Sequence, residues 1–388
     1  MPAALDALAR WRRLFAYQPA AGERTTRPGR LLVLIPSRAE GARVADLALD
    51  FRRESRAEGT SADVCVILDG SDAAAEERLR REAVEFFVKE PAGPSKAFAL
   101  SFAVERLGKR LDSADFVMVF DADMRLPDGF LAGLALPPGT EAFQLPVRPA
   151  GMPPPGAARV EAFSLAVATR VEDLVRDAAG LPVRLRGKAM GFSPRAFRLG
   201  PLAATRTMAE DSEATLRLLA AGFRIRALAA PVAFDEPSEE RAMAAPRARW
   251  LAGHVKLMFT GAGDLGKILL KSPRAAGVLA ADLFLRPRAL VLLMLVLVAI
   301  GADGALLRFA SKGRMSELAP LLLSSLIAKL GLIFEMLYYI AARRVLGYPR
   351  EIPPVSFSDL LSFVLVWFRA LGRAIFAPGT WHRARPFS

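Results

Sequence analysis

Four short apolar runs, each cut off by polar or turn-forming residues, constrain the fold of this chain more than any other feature. They are Leu31-Leu32-Val33-Leu34-Ile35, Val64-Cys65-Val66-Ile67-Leu68, Phe86-Phe87-Val88 and residues 116–120. A run with no polar alternation reads as a strand buried on both faces, because a half-exposed strand would alternate. Helix-period segments at 43–56, 73–84 and 97–107 fall between the runs. Strands alternating with helices predict an α/β fold, a Rossmann-like, doubly wound and mostly parallel sheet flanked by helices. Such a sheet binds ligands beyond the carboxyl ends of its strands, where Ser37, Asp69 and Asp121 all fall.

The middle third is less regular. Pro146, Pro149 and Pro153-Pro154-Pro155 precede a helix predicted over 157–178, and Arg186 to Phe192 reads as a turn into a strand. A helix over 212–221 is stopped by Gly222, and 223–229 returns as a strand.

The C-terminal third changes character. Residues 289–307 are almost wholly apolar, with Asp303 the exception, and are long enough for one bilayer span. A second span is expected over 318–342, where Lys329 and Glu335 would be costly in lipid and should face protein, water or the interface. The stretch 357–376, with Trp367, Arg369 and Arg373, reads as an interfacial helix. The expected organisation is an N-terminal extension (1–29), a catalytic domain (30–270) and a membrane region (271–388). Residues 5–15 are either a short interfacial helix or a frayed helical extension, and are too charged for a cleavable signal peptide.

Composition fits this division. The chain is 53% hydrophobic yet 24% charged, too oily for an ordinary soluble enzyme and too charged for a polytopic transporter. Its formal charge is +13, with Arg and Lys gathered beside the apolar stretches and at both termini rather than in a nucleic-acid-reading module. An anionic membrane surface is the better partner and nucleic acid is not expected. One cysteine and two histidines exclude an intrachain disulfide and disfavour a zinc or His-rich centre. Arg286, Arg288, Arg343, Arg344 and Arg350 flank the hairpin on its expected cytosolic side, although Arg308, Lys312 and Arg314 lie in the connecting loop.

Three constellations bear on chemistry. Asp121-Ala122-Asp123 follows an apolar strand, so two carboxylates can converge on one Mg2+ or Mn2+, whose hard charge prefers oxygen and leaves room for phosphates. The alternative is a solvated turn. Glu210-Asp211 opens a helix; Asp211 is either a general base for an acceptor hydroxyl or an N-cap. Arg247-Ala248-Arg249-Trp250 supplies guanidinium groups that suit a diphosphate and an indole that suits a sugar ring, or else is a basic amphipathic patch.

As an ordered set, these motifs resemble the inverting family 2 glycosyltransferases, which include cellulose, chitin and hyaluronan synthases and have the GT-A fold. Leu32 to Glu40, with Pro36, Arg38 and Glu40, is similar to the family's first strand and its Pro-x-Arg-Asn-Glu-like turn. Leu68 to Asp72 resembles the uridine-contacting Asp loop, and Lys96 stands where the family has a Gly-Lys-Gly-like turn, here with Ser95 and Ala97 for the glycines. Arg186 to Phe192 resembles the acceptor loop, Glu210-Asp211 the Thr-Glu-Asp base motif, and residues 381–385 a C-terminal signature of membrane members.

The resemblance implies that Pro36, Arg38, Glu40, Asp69, Lys96, Asp121 and Arg249 meet the donor. It implies that Asp121 and Asp123 hold the metal, that Asp211 with Glu210 is catalytic, and that Gly187, Lys188 and Trp250 meet the acceptor. Pro246 replaces the leading Gln of the family's Gln-Gln/Arg-x-Arg-Trp motif, and two spans give little material for a secretion channel. A single transfer from a nucleotide sugar, UDP-linked by resemblance, to a lipid or membrane-associated glycan is therefore expected over processive synthesis. It would occur on the cytosolic face of a bacterial-type inner membrane. A nucleotidyltransferase and a non-catalytic scaffold are the rival classes; the first would be expected to carry a Gly-rich, basic loop after strand one, which Pro36-Ser37-Arg38-Ala39-Glu40 is not.

Overall fold

The structure is a computed structural model that describes residues 25–58, 60–93, 95–199, 207–235, 243–284, 288–311, 318–345 and 353–376. The expected N-terminal helix and the 381–385 signature lie outside the described residues.

The four apolar runs form β1 (Arg30–Ser37), β2 (Ser61–Asp69), β3 (Glu85–Lys89) and β4 (Phe116–Val119). They lie side by side in the order β3-β2-β1-β4, all parallel. Successive side chains of β1 serve opposite faces. Leu31, Val33 and Ile35 pack with Val44, Leu47 and Phe51 of α1 (Val44–Glu58) and with Leu79 of α2 (Ala73–Arg81). Leu32 and Leu34 meet Ala99, Leu100 and Ala103 of α3 (Lys96–Leu107). Burial of both faces is why these runs are apolar throughout.

Beyond β4 the sheet departs from a purely parallel one. Its order continues β8-β6-β9, with β9 at Ile225–Ala227, and β8 (Met190–Phe192) runs antiparallel to both β4 and β6 (Ala142–Gln144). The chain reaches β8 through some seventy residues and enters beside Val119, at the carboxyl end of β4. That reversal delivers the 186–189 loop to the ligand-binding edge.

A second sheet pairs β5 (Met124–Arg125) with β10 (Ala233–Asp235) and β10 with β7 (Val147–Pro149). It sets Asp235 opposite Met124, next to Asp123. Two buried acids of α1 fasten the chain after Asp123: Asp50 accepts from Leu126 N at 3.1 Å, and Glu54 accepts from Gly129 N and Leu131 N, each at 3.1 Å. Short α4 (Lys109–Ser113) completes the first half.

The helix expected over 157–178 is α5 (Ala157–Val167) and α6 (Asp173–Ala178), joined by a π-helical turn at Ala168–Glu172. After α7 (Pro194–Leu199), α8 (Glu210–Ala220) opens at Glu210, two residues earlier than expected. Three helices then follow: α9 (Ala244–Thr260), which carries the Arg247–Trp250 stretch expected to be helical, and α10 (Ala262–Lys271) and α11 (Pro273–Phe284), which the periodicity had not marked.

Among the described residues, two helices are long and apolar enough to cross a membrane, within α12 (Arg288–Ala310) and α13 (Leu318–Val345). Only 11% of either span is buried in the protein, which separates them from core helices. They pack on each other, and the far end of α13 docks on α5, with Tyr338 Oη donating to Glu172 at 2.6 Å and Phe163 against Tyr339. The expected interfacial helix is α14 (Phe357–Phe376). Val366, Trp367 and Ala370 bury one face of it against Ala244 and Ala248 of α9, while Phe357, Leu361, Leu365, Phe368 and Ile375 are exposed on the other.

Candidate active site

The carboxyl ends of β1 and β2 are laced together. Arg38 Nη1 donates to Gly93 O at 2.8 Å and lies 3.6 Å from Asp69 Oδ2, while Asp69 Oδ1 accepts from Gly93 N at 2.7 Å. Ala39 takes a left-handed φ of 54° in the turn, so Arg38 and Glu40 are displayed at the rim. Pro36 is buried within β1. Ser37 Oγ, Ser95 Oγ and Asp69 Oδ2 are buried without a hydrogen-bond partner among the described residues. Buried polar atoms are normally paired, so three together mark a place built for polar ligands.

The end of β4 adds the acids. Lys96, the first residue of α3, donates to Asp121 Oδ1 and, at 2.7 Å, to Gly187 O. It therefore ties the Asp-x-Asp turn to the 186–189 loop. Asp123 Oδ1 is buried and has no hydrogen-bond partner among the described residues. Lys188 Nζ donates to Asp235 Oδ1 at 2.6 Å. Burial alone would lower the Lys188 pKa, but Asp235, then Asp123 and Asp121, hold it well above lysine's ordinary value. Burial pushes the Asp235 carboxyl up against the opposing pull of Lys188. Asp235 was not singled out from the sequence. Its signal was there: Val232-Ala233-Phe234 before an acid repeats the pattern that picked out Asp69 and Asp121.

Asp121 and Asp123 fit a shared divalent cation. Among the described residues, no cluster of three or more His, Cys, Asp or Glu converges on one position. A pair of carboxylates with one buried oxygen unpaired is the donor set a Mg2+ or Mn2+ takes when phosphates complete its shell.

Glu210 and Asp211 open α8 on the other side of the Gly187 turn. Ala209, with no side-chain bond, is the N-cap, so Asp211 is not one. Asp211 Oδ1 accepts from Ser212 N at 2.7 Å, and its other oxygen faces Gly187, where an added Cβ would stand 3.7 Å away. Gly187 has φ of 78°, a conformation costly for any residue with a side chain. Burial, then the Asp211 charge, pushes the Glu210 pKa up to about 7, with Lys96 pulling the other way. Gln144 holds the loop between, accepting from Arg186 N at 2.9 Å and donating to Lys188 O at 2.7 Å.

The Arg-x-Arg-Trp stretch divides. Arg247 is buried 2.7 Å from Glu161, on the side facing α5. Arg249 lies within electrostatic reach of Glu210 and Arg38; burial lowers its pKa and Glu210 raises it. Trp250 stacks on His254 at 4.5 Å and 21°, with the edge of Trp367 at 6.1 Å. The crevice thus brings together Arg38, Asp69, Lys96, Asp121, Asp123, Gly187, Lys188, Glu210, Asp211 and Arg249, leaves Arg247 outside, and sets Trp250 into an aromatic cluster.

The mixed sheet ordered β3-β2-β1-β4-β8-β6-β9, flanked by helices, has the GT-A fold. The mannosyltransferase PcManGT from Pyrobaculum calidifontis, solved with GDP-Man and Mn2+, superposes with a TM-score of 0.53 at 15% identity, covering 95% of this chain and 94% of that one. Glucosyl-3-phosphoglycerate synthase from Mycobacterium tuberculosis, solved with Mg2+ and UDP, gives 0.42 at 19% identity over 59% of this chain and 79% of its own. No family model matches the chain, and no curated protein matches it. At these identities the likeness is one of fold.

Proposed function

We propose that the chain is a metal-dependent inverting glycosyltransferase of family 2 type. It moves a sugar from a nucleotide-diphosphate donor, UDP-linked by resemblance, to a lipid or membrane-associated glycan. One observation supports this above the rest. Asp69, Asp121-Asp123, Glu210-Asp211 and Arg249, far apart in sequence, meet at one crevice, where Asp123 has a buried oxygen without a partner.

In this reading Asp69, with Arg38 and Glu40 at the rim, receives the nucleoside. Asp121 and Asp123 hold Mg2+ or Mn2+, which when bound offsets the charge that develops on the departing diphosphate. Lys96 and Arg249 add cationic donors on the same side. Asp211, on the far side of Gly187, takes the proton of the acceptor hydroxyl, whose oxygen then attacks the anomeric carbon opposite the nucleotide. One displacement inverts that centre. Lys188 and Trp250 bound the acceptor side.

The α12–α13 hairpin and the exposed apolar face of α14 support an acceptor met at headgroup level, from the cytosolic side of a bacterial-type inner membrane. Two spans and Pro246 favour one transfer per encounter over polymer synthesis.

The test is nucleoside diphosphate release from a panel of UDP- and GDP-sugars with Mn2+. Release that disappears in Asp211→Asn supports transfer, and pyrophosphate release from an NTP sinks it. No turnover of any donor by a folded protein would favour the scaffold instead. Lipid extracts from cells with and without the chain, compared by mass spectrometry, then name the acceptor. Loss of a high-molecular-weight polymer would overturn the single-transfer reading.

A further inference from the structure

Two sides of the crevice are tied to consecutive residues at the end of α11, the last described helix before the membrane-spanning α12 begins at Arg288. The first tie starts beside Asp211. Ser212 Oγ accepts from Arg184 Nη2 at 2.9 Å, and Arg184 Nη1, buried and without a hydrogen-bond partner, lies 3.9 Å from Asp282 Oδ1. Asp282 is also gripped by Arg176 at 2.5 and 3.0 Å. Arg184 is 5% exposed, so its charge depends on Asp282 rather than on water. The neighbouring Leu185 N donates to Thr215 Oγ1 at 3.0 Å, and that hydroxyl donates to Asp211 O at 2.8 Å. The segment leading to Gly187 and the first turn of α8 are thereby one unit.

The second tie starts at Trp250. His254, one turn further along α9 and 1% exposed, stacks on the indole and meets Leu283 O through Nε2 at 3.1 Å. A carbonyl accepts only, so Nε2 carries the proton and Nδ1, buried without a partner, is bare. Burial and the Arg184 charge both lower the His254 pKa, in keeping with a neutral ring.

We propose that Arg184 and His254 are positioning residues: through Asp282 and Leu283 they hold the base, Asp211, and the acceptor-side Trp250 in register with the membrane segment. This rests on the roles given to Asp211 and Trp250 under the proposed function. Neither residue reaches the reacting atoms. Arg184 sets where α8 presents Asp211, and His254 sets the tilt of the indole against which an acceptor would lie. A bound membrane segment thus fixes both through one helix end. An ordinary staple would hold α11 in place and leave the kinetics of the folded fraction unchanged.

The two ties predict different kinetic losses. The full chain in nanodiscs, with Mn2+ and the donor of the UDP- and GDP-sugar panel that turns over fastest, is assayed for hydrolysis and for transfer of labelled sugar to a total membrane lipid extract. Arg184→Ala and Asp282→Asn should each lower kcat about tenfold in both assays with donor KM unchanged, and Arg184→Lys should recover part of the loss. His254→Phe, which keeps a ring for stacking but cannot donate to Leu283 O, should raise the lipid concentration at half-maximal transfer about fivefold and spare hydrolysis. Unchanged kinetics in these variants, or losses of every parameter in proportion to the folded fraction measured by circular dichroism, would overturn the proposal. Full activity in Asp211→Asn would instead remove the base assignment, and the proposal with it.

Discussion

Asp123 and Glu210 face the same crevice in opposite condition. Asp123 keeps a buried oxygen unpaired, whereas Glu210 is half-buried near Asp211 with its pKa pushed up to about 7. A cation binding the folded state alone stabilises it by about 2.7 kcal/mol at a hundredfold excess over Kd. Mn2+ with UDP should therefore raise the melting temperature of the wild type, and Asp123→Asn should lose most of that gain along with sugar transfer. A full thermal shift in the variant would place the metal elsewhere. For Glu210 the sign follows from its raised pKa. The folded state keeps the proton while the unfolded chain, near 4.5, has lost it, so stability falls as pH rises from about 4.5 to about 7. Glu210→Gln lacks this slope. With EDTA present, its melting temperature should gain on the wild type across that window, by roughly 4–8 °C for about 2 kcal/mol once partial exposure is allowed for. Parallel melting curves from pH 5 to 8 would contradict the assignment.

Helices and strands position these residues through backbone proximity as much as through side chains. Gly253 lets α9 lie against the turn before α8; a Cβ there would come within 2.6 Å of Ala209 N and 2.7 Å of Met208 C. Backbone cannot swing aside as a side chain does. Gly253→Ala should cost about 1–3 kcal/mol in overpacking and displace Glu210-Asp211, so turnover per folded molecule should fall as well. Unaltered turnover in the folded fraction would show that α9 does not set their place. This dependence of acids on a distant helix also explains what the sequence could and could not reveal. Runs of three to five apolar residues showed β1 to β4, because strands packed between two layers of helices favour apolar side chains on both faces. Strands of two or three residues, such as β5 and β10, are too short for any period, so Asp235 went unnoticed although an apolar triplet precedes it. The antiparallel course of β8 depends on a seventy-residue detour that no local pattern records. Arg247 and Arg249 looked like one motif, yet residues two apart on a helix face different ways, and one reaches Glu161 while the other reaches toward Glu210.

At the scale of the whole chain, the hairpin is the part whose function depends on its surroundings. Asp303, expensive in lipid, accepts from Ser325 Oγ at 2.6 Å and from Lys329 at 2.9–3.0 Å, so the polar residues of the two spans meet one another. The end of α13 that carries Ala342 packs on Val171, and Tyr338 reaches Glu172, which fixes that end to the catalytic half. If α12 and α13 span, the Ser311 end of the hairpin must emerge on the opposite face from the sheet. Charge counting gives a weaker answer, because Arg308, Lys312 and Arg314 would then lie on the far side against the usual bias. The protein offers a clean way to decide. Its single cysteine, Cys65, is buried in β2, and burial followed by Glu85 pushes its thiol up to about 12, so it does not compete for a thiol reagent near neutral pH. Cysteines introduced singly at exposed Glu105 on α3 and at exposed Ser311 should therefore report alone. With a membrane-impermeant maleimide, inverted inner-membrane vesicles should label Glu105→Cys and spare Ser311→Cys until detergent is added. Spheroplasts should show the reverse. Labelling of both from the same side would mean that the hairpin does not span, and would overturn the topology proposed for it.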